Sequence, residues 1–225
     1  MWLRRQFRNL DPRPSPWPMK TLKSATTSFR KSRNGVLELT IQHDILLGVT
    51  PAMLAWWFHH LGETMSFRGD TYARYLVWHP IDHIHWQLLV TGPDGCTGQG
   101  ATFRIVEAFG GQLDHYIDSI EFVEKCDDQG LTLVKRVMGL EVFRLEHRFI
   151  PMSDGTRYAS RMVVGSCTPI LGWLINYLIR PAVFSDATAR AWLLHNIEEV
   201  GNFEIFLPEL FAASMVDQQN TTQSP

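Results

Sequence analysis

Between residues 83 and 166, six segments of alternating apolar and polar residues follow one another, with only short turns between them. They span about 83–90, 101–109, 117–125, 130–138, 141–150 and 157–166, and turns such as "GPDG", "DDQG" and "SDG" separate them. A period of two with tight turns predicts strands paired antiparallel, because parallel neighbours would need long crossovers. One more strand, "VLELTIQH", and one helix, "GVTPAMLAWWFHHLG", precede this run. In that helix Thr50 is placed as N-cap and Pro51 at the first helical position. Helical periods return over about 169–180 and 185–207, the second opening at Ser185. Strands in succession with a long helix at the end describe an α+β fold. The economical arrangement is a curved antiparallel sheet wrapped around the C-terminal helix, a helix-grip architecture with a cavity between the two layers.

Charge divides the chain. Nine of the 21 Lys and Arg residues lie before residue 35, where Asp11 is the only acid. Residues 1–35, with "RPSPWPMK" and "KSATTSFRKSR", therefore read as a basic flexible leader, either a solvated arm or an organelle transit peptide. The rest is acidic, which argues against a general nucleic-acid surface. Residues 36–212 form the expected domain, and 213–225, ending in "NTTQSP", a disordered tail. The longest apolar run, residues 168–184, carries Arg180 and Pro181, so no stable membrane insertion is expected. Cys96, Cys126 and Cys167 are odd in number and scattered, as suits free thiols in a reducing, cytoplasmic setting. The aromatic stretches "AWWF" and "GWLINYL" (Trp56, Trp57, Phe58, Trp173, Tyr177) fit core packing first, a cavity cap or homodimer face second.

Four ionisable residues fall where apolar ones belong. On the last helix Trp192, His195, Glu199 and Phe203 share one face, so His195 and Glu199 converge across one turn. In "ATFRIVEAFGG" Glu107 shares its face with Phe103, Ile105 and Phe109. In "LEVFRLEHRFIP" His147 shares its face with Phe143, Leu145 and Phe149. A further cluster, "YLVWHPIDHIHW", offers His79, His83 and His85. His83 and His85 share strand parity; His79 precedes Pro80 in an expected turn, paired with Asp82, which could equally orient a ligand imidazole. Burying unpaired charges costs several kcal/mol. Two imidazoles and two carboxylates meeting in an apolar pocket are best reconciled by a divalent cation, Zn²⁺ first and Mn²⁺ or Fe²⁺ with the same ligands.

The stretches "YLVWHPIDH", "VEAFGG" and "HNIEEVGNFE", in this order, resemble the 2,4-diacetylphloroglucinol hydrolases and related phloretin hydrolases over roughly residues 36–212. The resemblance implies a START-like helix-grip fold and a zinc held by His83, Glu107, His195 and Glu199. It selects His83 over His79 because Tyr75, eight residues earlier, matches the family's substrate-contacting tyrosine. It gives His147 the role of contacting the acyl carbonyl and Tyr158 that of a second phenol-binding tyrosine. One position departs: Trp86 stands where the family has asparagine. The implied reaction is hydrolysis of the carbon–carbon bond between an acyl group and a polyhydroxylated ring, on an aromatic polyketide-like substrate. Cyclisation, isomerisation or decarboxylation on the same scaffold, or simple carriage of a hydrophobic ligand, are the competing expectations.

Overall fold

The computed structural model describes residues 17–169 and 171–222, with side chains as far as residue 216. Among the described residues nine strands form one antiparallel sheet: β1 (Ala25–Lys31), β2 (Leu37–His43), β3 (Leu46–Leu47), β6 (His83–Val90), β7 (Thr102–Ala108), β8 (Tyr116–Asp127), β9 (Gly130–Val137), β10 (Leu140–Met152) and β11 (Gly155–Val164). Their order is β1-β2-β11-β10-β9-β8-β7-β6, with β3 on β11. The run from β6 to β11 is a meander, as the succession of short turns requires. Helix α1 (Pro51–His59) starts with the Thr50 hydroxyl accepting from Met53 N. A short hairpin, β4 (Thr64–Phe67) and β5 (Asp70–Ala73), then leads into α2 (Arg74–Trp78). After the sheet come α3 (Leu171–Leu174), a π-turn over Ile175–Ile179, α4 (Arg180–Val183) and α5 (Asp186–Thr222). Ser185 Oγ accepts from Thr188 N and caps α5.

Helix α5 packs against β1, β2, β3, α1 and α2, and its buried Trp192, Ile197, Phe203, Phe206 and Leu207 join Leu37, Leu39, Ile41 and Trp57 in the core. Each such side chain removed from water contributes roughly 1.5–3 kcal/mol, and this apolar payload holds the helix in the grip of the sheet. The fold is the expected α+β helix-grip arrangement.

Several boundaries differ from expectation. Residues 22–31, inside the expected leader, form a 3₁₀ turn and β1, which pairs along its length with β2; Trp17 is buried between Phe67 and Phe206. The basic composition masked a strand whose charge sits on its last two residues, the exposed Arg30 and Lys31. Residues 1–16, the rest of the expected leader, lie outside the described residues. At the other end α5 runs on through 213–222, expected as tail, because "AASMVDQQ" holds good helix formers; 223–225 lie outside the described residues. The β4–β5 hairpin was not foreseen. Its two-residue turn is Arg68–Gly69, both at positive φ, which suits the twist of a hairpin but puts an unusual arginine at the first turn position. Among the described residues no helix is long and apolar enough to cross a membrane.

Candidate metal centre

Three elements bring the singled-out residues together. Glu107 sits on β7 directly opposite His83 on β6. Directly after it a β-bulge places both Ile84 and His85 against Val106. The bulge breaks the expected parity: His83 faces the concave side with Glu107, whereas His85 pairs with Val106 and turns away. Helix α5 supplies His195 and Glu199. His83 Nε2 lies 3.5 Å from Glu107 Oε1 and 3.5 Å from Glu199 Oε2. His195 Nε2 lies 3.9 Å from Glu107 Oε2 and 3.7 Å from Glu199 Oε2. Atoms bound tetrahedrally at about 2.0–2.2 Å stand roughly 3.5 Å from one another. His83, Glu107 and His195 each offer an atom within 4.8 Å of the others, and Glu199 approaches both imidazoles. All four are buried.

The supporting contacts fix which atoms face the centre. His83 Nδ1 donates to the Tyr75 carbonyl at 2.6 Å, and His195 Nδ1 donates to Asp82 Oδ2 at 2.9 Å. Both imidazoles therefore turn Nε2 inward. Asp82 is held in turn by Gly111 N at 3.0 Å. Gly110 and Gly111 both have φ near +65°, a left-handed turn that glycine adopts freely and that swings this N–H back to Asp82. The Tyr75 hydroxyl donates to Glu107 Oε1 at 2.5 Å, and its ring stacks on His83. Asn196 Nδ2 donates to Glu199 Oε1 at 2.6 Å. His79 stays behind the centre: its Nδ1 accepts from Asp82 N, and its Nε2 lies 3.1 Å from Glu198.

The electrostatics of the bare side chains are unfavourable. Burial pushes Glu107 well above the usual carboxylate range, and the charge of Glu199 pushes it further. Burial also raises Glu199, against the pull of His195, and lowers His195 against the pull of Glu199 and Asp82. Two carboxylates and two neutral imidazoles are a donor set that a divalent cation would satisfy in charge, softness and geometry.

The centre opens on a cavity of about 800 Å³, within the range of small-molecule sites. Tyr75, Glu107, His195, Glu199 and His147 all line it. His147 Nδ1 lies 3.0 Å from Ser160 Oγ, which also lies 3.2 Å from His43 Nε2. Burial, then repulsion from His43, brings His147 down to about 3, so it is neutral. Tyr158, the expected second phenol-binding tyrosine, lies beside His147 with its hydroxyl buried and without a hydrogen-bond partner among the described residues. It is wholly buried among His43, His147, Phe149 and Phe203 and is absent from the lining, because its place opposite Phe149 on β11 faces it into packed rings rather than open space. Trp86 also stays out of the lining, packed over Gly62.

Asn196, Ser160, His43 and Glu121 were not singled out from the sequence. Glu121 had a readable signal, since Ile117, Ser119, Glu121 and Val123 alternate onto one face as Glu107 does in its strand. Asn196 had none, because its partner lies on its own helix in a polar-looking stretch.

The model of the family described as the DAPG hydrolase PhiG domain matches residues 23–212. No curated protein matches the chain. Among solved structures, a structural-genomics protein from Rhodobacter sphaeroides is similar at 16% identity and a TM-score of 0.44, covering 82% of this chain and 99% of its own. A START superfamily protein from Mycobacterium smegmatis is similar at 12% identity and a TM-score of 0.40, covering 72% of this chain and 98% of its own.

Proposed function

The chain belongs to the DAPG hydrolase PhiG domain family, and from that premise we propose that it is a metal-dependent hydrolase of acylated polyphenols. Water adds to the acyl carbon, the bond from that carbon to the ring breaks, and the electron pair passes to a ring carbon flanked by phenolic oxygens. A proton then returns to that carbon, leaving a carboxylic acid and the deacylated ring. The observation that carries the reading is the convergence of His83, Glu107, His195 and Glu199, from two strands and one helix, with both Nε2 atoms turned inward. A divalent cation held by these four, zinc first, would supply Lewis-acid polarisation and a more acidic water.

The remaining steps belong to the chain's own groups. Tyr75, held as a neutral phenol by burial and by the charge of Glu107, fixes Glu107 through its hydrogen bond and presents its oxygen to a substrate hydroxyl. Neutral His147 donates from Nε2 to the acyl oxygen as charge develops there. That requires its Nδ1 to accept from Ser160, which in turn accepts from His43 Nε2–H. Glu199, with Oε1 tied to Asn196, is placed to hold and return the proton that the ring carbon needs. The apolar walls, among them Phe103, Phe109 and Leu145, exclude bulk water and accept an aromatic ring.

Elemental analysis of the purified protein, beside His195→Ala and Glu199→Ala, tests the centre; incubation with acylphloroglucinols, scored for free acid, tests the reaction. One equivalent of metal lost in both variants, with acid released by the wild type, is the expected result. Metal retained by both variants refutes the ligand set. Metal binding without acid release refutes hydrolysis and favours cyclisation, isomerisation or decarboxylation in the same cavity.

A further inference from the structure

Away from the four converging residues, one ionisable side chain is buried in the cavity wall with an oxygen to spare. Glu121 is 4% exposed, lines the cavity, and has Oε2 with no hydrogen-bond partner among the described residues. Its register explains its direction. It lies opposite Phe103 on β7, on the same concave face as Ser119, which lies opposite Ile105. Around it are apolar walls: Phe58, Leu61, Phe103, Leu131 and Leu133 also line the cavity. Lys135 donates to Ser119 Oγ at 3.3 Å and so reaches toward the carboxyl without pairing with it. A buried carboxyl oxygen left without a donor is a standing cost to the folded chain. A leucine there would pack against its neighbours at no such cost. Glu121 lies on the same β7–β8 face as Glu107, four residues along the ladder from the Glu107–Ile117 pair, and its charge is felt at Tyr75 and at Glu107.

We propose that Glu121 is a specificity residue, whose free carboxyl oxygen accepts a hydrogen bond from the ring hydroxyl farthest from the substrate's acyl group. The inference rests on the reading of the cavity as a site for acylated polyphenols. A ring hydroxyl beside the acyl group stays near the carbonyl, and hence near His147 and the metal centre. The hydroxyl across the ring lies farther along the cavity, where Glu121, four residues along the β7–β8 ladder from the Glu107–Ile117 pair, is a deeply buried acceptor. Trp86, on the neighbouring edge strand, packs over Gly62 and takes no part in the lining. Burial pushes the Glu121 carboxyl up to about 7, so above neutral pH it is the charged acceptor that an acidic phenol prefers.

Two ketones that differ in this hydroxyl alone test the proposal: 2,4,6-trihydroxyacetophenone and 2,6-dihydroxyacetophenone. Calorimetric titration at mildly alkaline pH, on the full chain as purified, compares wild type, Glu121→Gln and Glu121→Leu. The wild type should bind the trihydroxy ketone about tenfold or more tightly than its partner, the range of a hydrogen bond to a charged acceptor. Glu121→Leu should erase that ratio while binding the dihydroxy ketone as the wild type does, and should melt at a higher temperature. Glu121→Gln should keep part of the ratio through its amide oxygen. A ratio near one in the wild type, a ratio surviving in Glu121→Leu, or no binding of either ketone overturns the proposal. Acid release is scored separately. A Glu121-dependent preference without hydrolysis refutes the reaction and leaves the subsite standing; hydrolysis of both ketones without preference does the reverse.

Discussion

His147 shows how much of the chemistry rests on a single proton. Ser160 has one hydrogen and two imidazole neighbours, at 3.0 and 3.2 Å, so it can donate to His147 only if His43 donates to it. Ser160→Ala removes this preference of tautomer without removing an imidazole. Its turnover should fall by roughly a hundredfold, the lower end of a general acid or hydrogen-bond donor effect, while metal content and KM stay near wild type. Loss in KM alone would contradict the assignment. The same pair sets an acid limit on stability. Burial lowers both His43 and His147 from 6.5 to about 3. Between these values the unfolded chain takes up protons that the folded chain refuses. Stability is therefore complete above about pH 6.5 and declines as pH falls toward 3, by at most about 1.4 kcal/mol per pH unit for each histidine. Glu121 has the opposite sign: raised to about 7 from 4.5, its contribution is complete below pH 4.5 and lost as pH rises through 7. Urea midpoints on both sides of pH 6.5 should fall toward acid in the wild type, and less steeply in His147→Gln. At this scale, alternation alone placed Glu107 and His147 on apolar faces. It could not place His85, because a bulge has no mark in the sequence, nor separate Tyr158 from the cavity, because a face does not say whether rings or open space lie against it.

Elements carry the centre through one lock. The Trp78 indole, at the end of α2, donates to the Glu199 carbonyl at 2.8 Å, and Asn202 Nδ2 donates to the Trp78 carbonyl at 2.7 Å. Helices α2 and α5 are thereby tied at the turn that bears Glu199, and α2 also carries Tyr75, whose carbonyl orients His83. Asn202 is wholly buried. Asn202→Leu strands the Trp78 carbonyl, at a cost of about 1–3 kcal/mol, and frees α2 to shift. The expected outcome is a lower thermal midpoint together with weaker metal binding in a competition titration. A lower midpoint with unchanged metal affinity would make the lock structural only. On the other side, Asp82→Asn should weaken metal binding about 10- to 100-fold, as loss of an orienting carboxylate does, with the fold retained by circular dichroism. Long elements with a clear period were legible: the meander from β6 to β11 and the capped start of α5 follow from alternation and Ser185. The short ones were not. Helix α2 is five residues long, too short to show a period, and it forms because packing against α5 and β6 supplies what propensity does not.

At the scale of the whole molecule, a sheet that grips one helix puts its two most constrained demands in the same place. The helix must be apolar to be held, yet at His195 and Glu199 it is not, and β7 repeats the exception at Glu107. Without a cation the fold keeps two carboxyls raised by burial, Glu107 further by the charge of Glu199, a cost that a bound divalent cation would relieve. Binding to the folded state alone stabilises by about 4 kcal/mol when the free ion is a thousand times its Kd. Chelation should therefore lower the thermal midpoint by several degrees in the wild type, and readdition of zinc should restore it. Glu107→Gln removes from the metal-free centre a carboxyl whose charged form burial and Glu199 disfavour. Its chelated form should melt at or above the chelated wild type, while zinc should raise it far less. Such an inversion of ranking between the metal-free and metal-loaded states is not produced by a residue that merely packs. If the chelated Glu107→Gln protein melted below the chelated wild type, and zinc raised both alike, Glu107 would be holding the sheet rather than an ion.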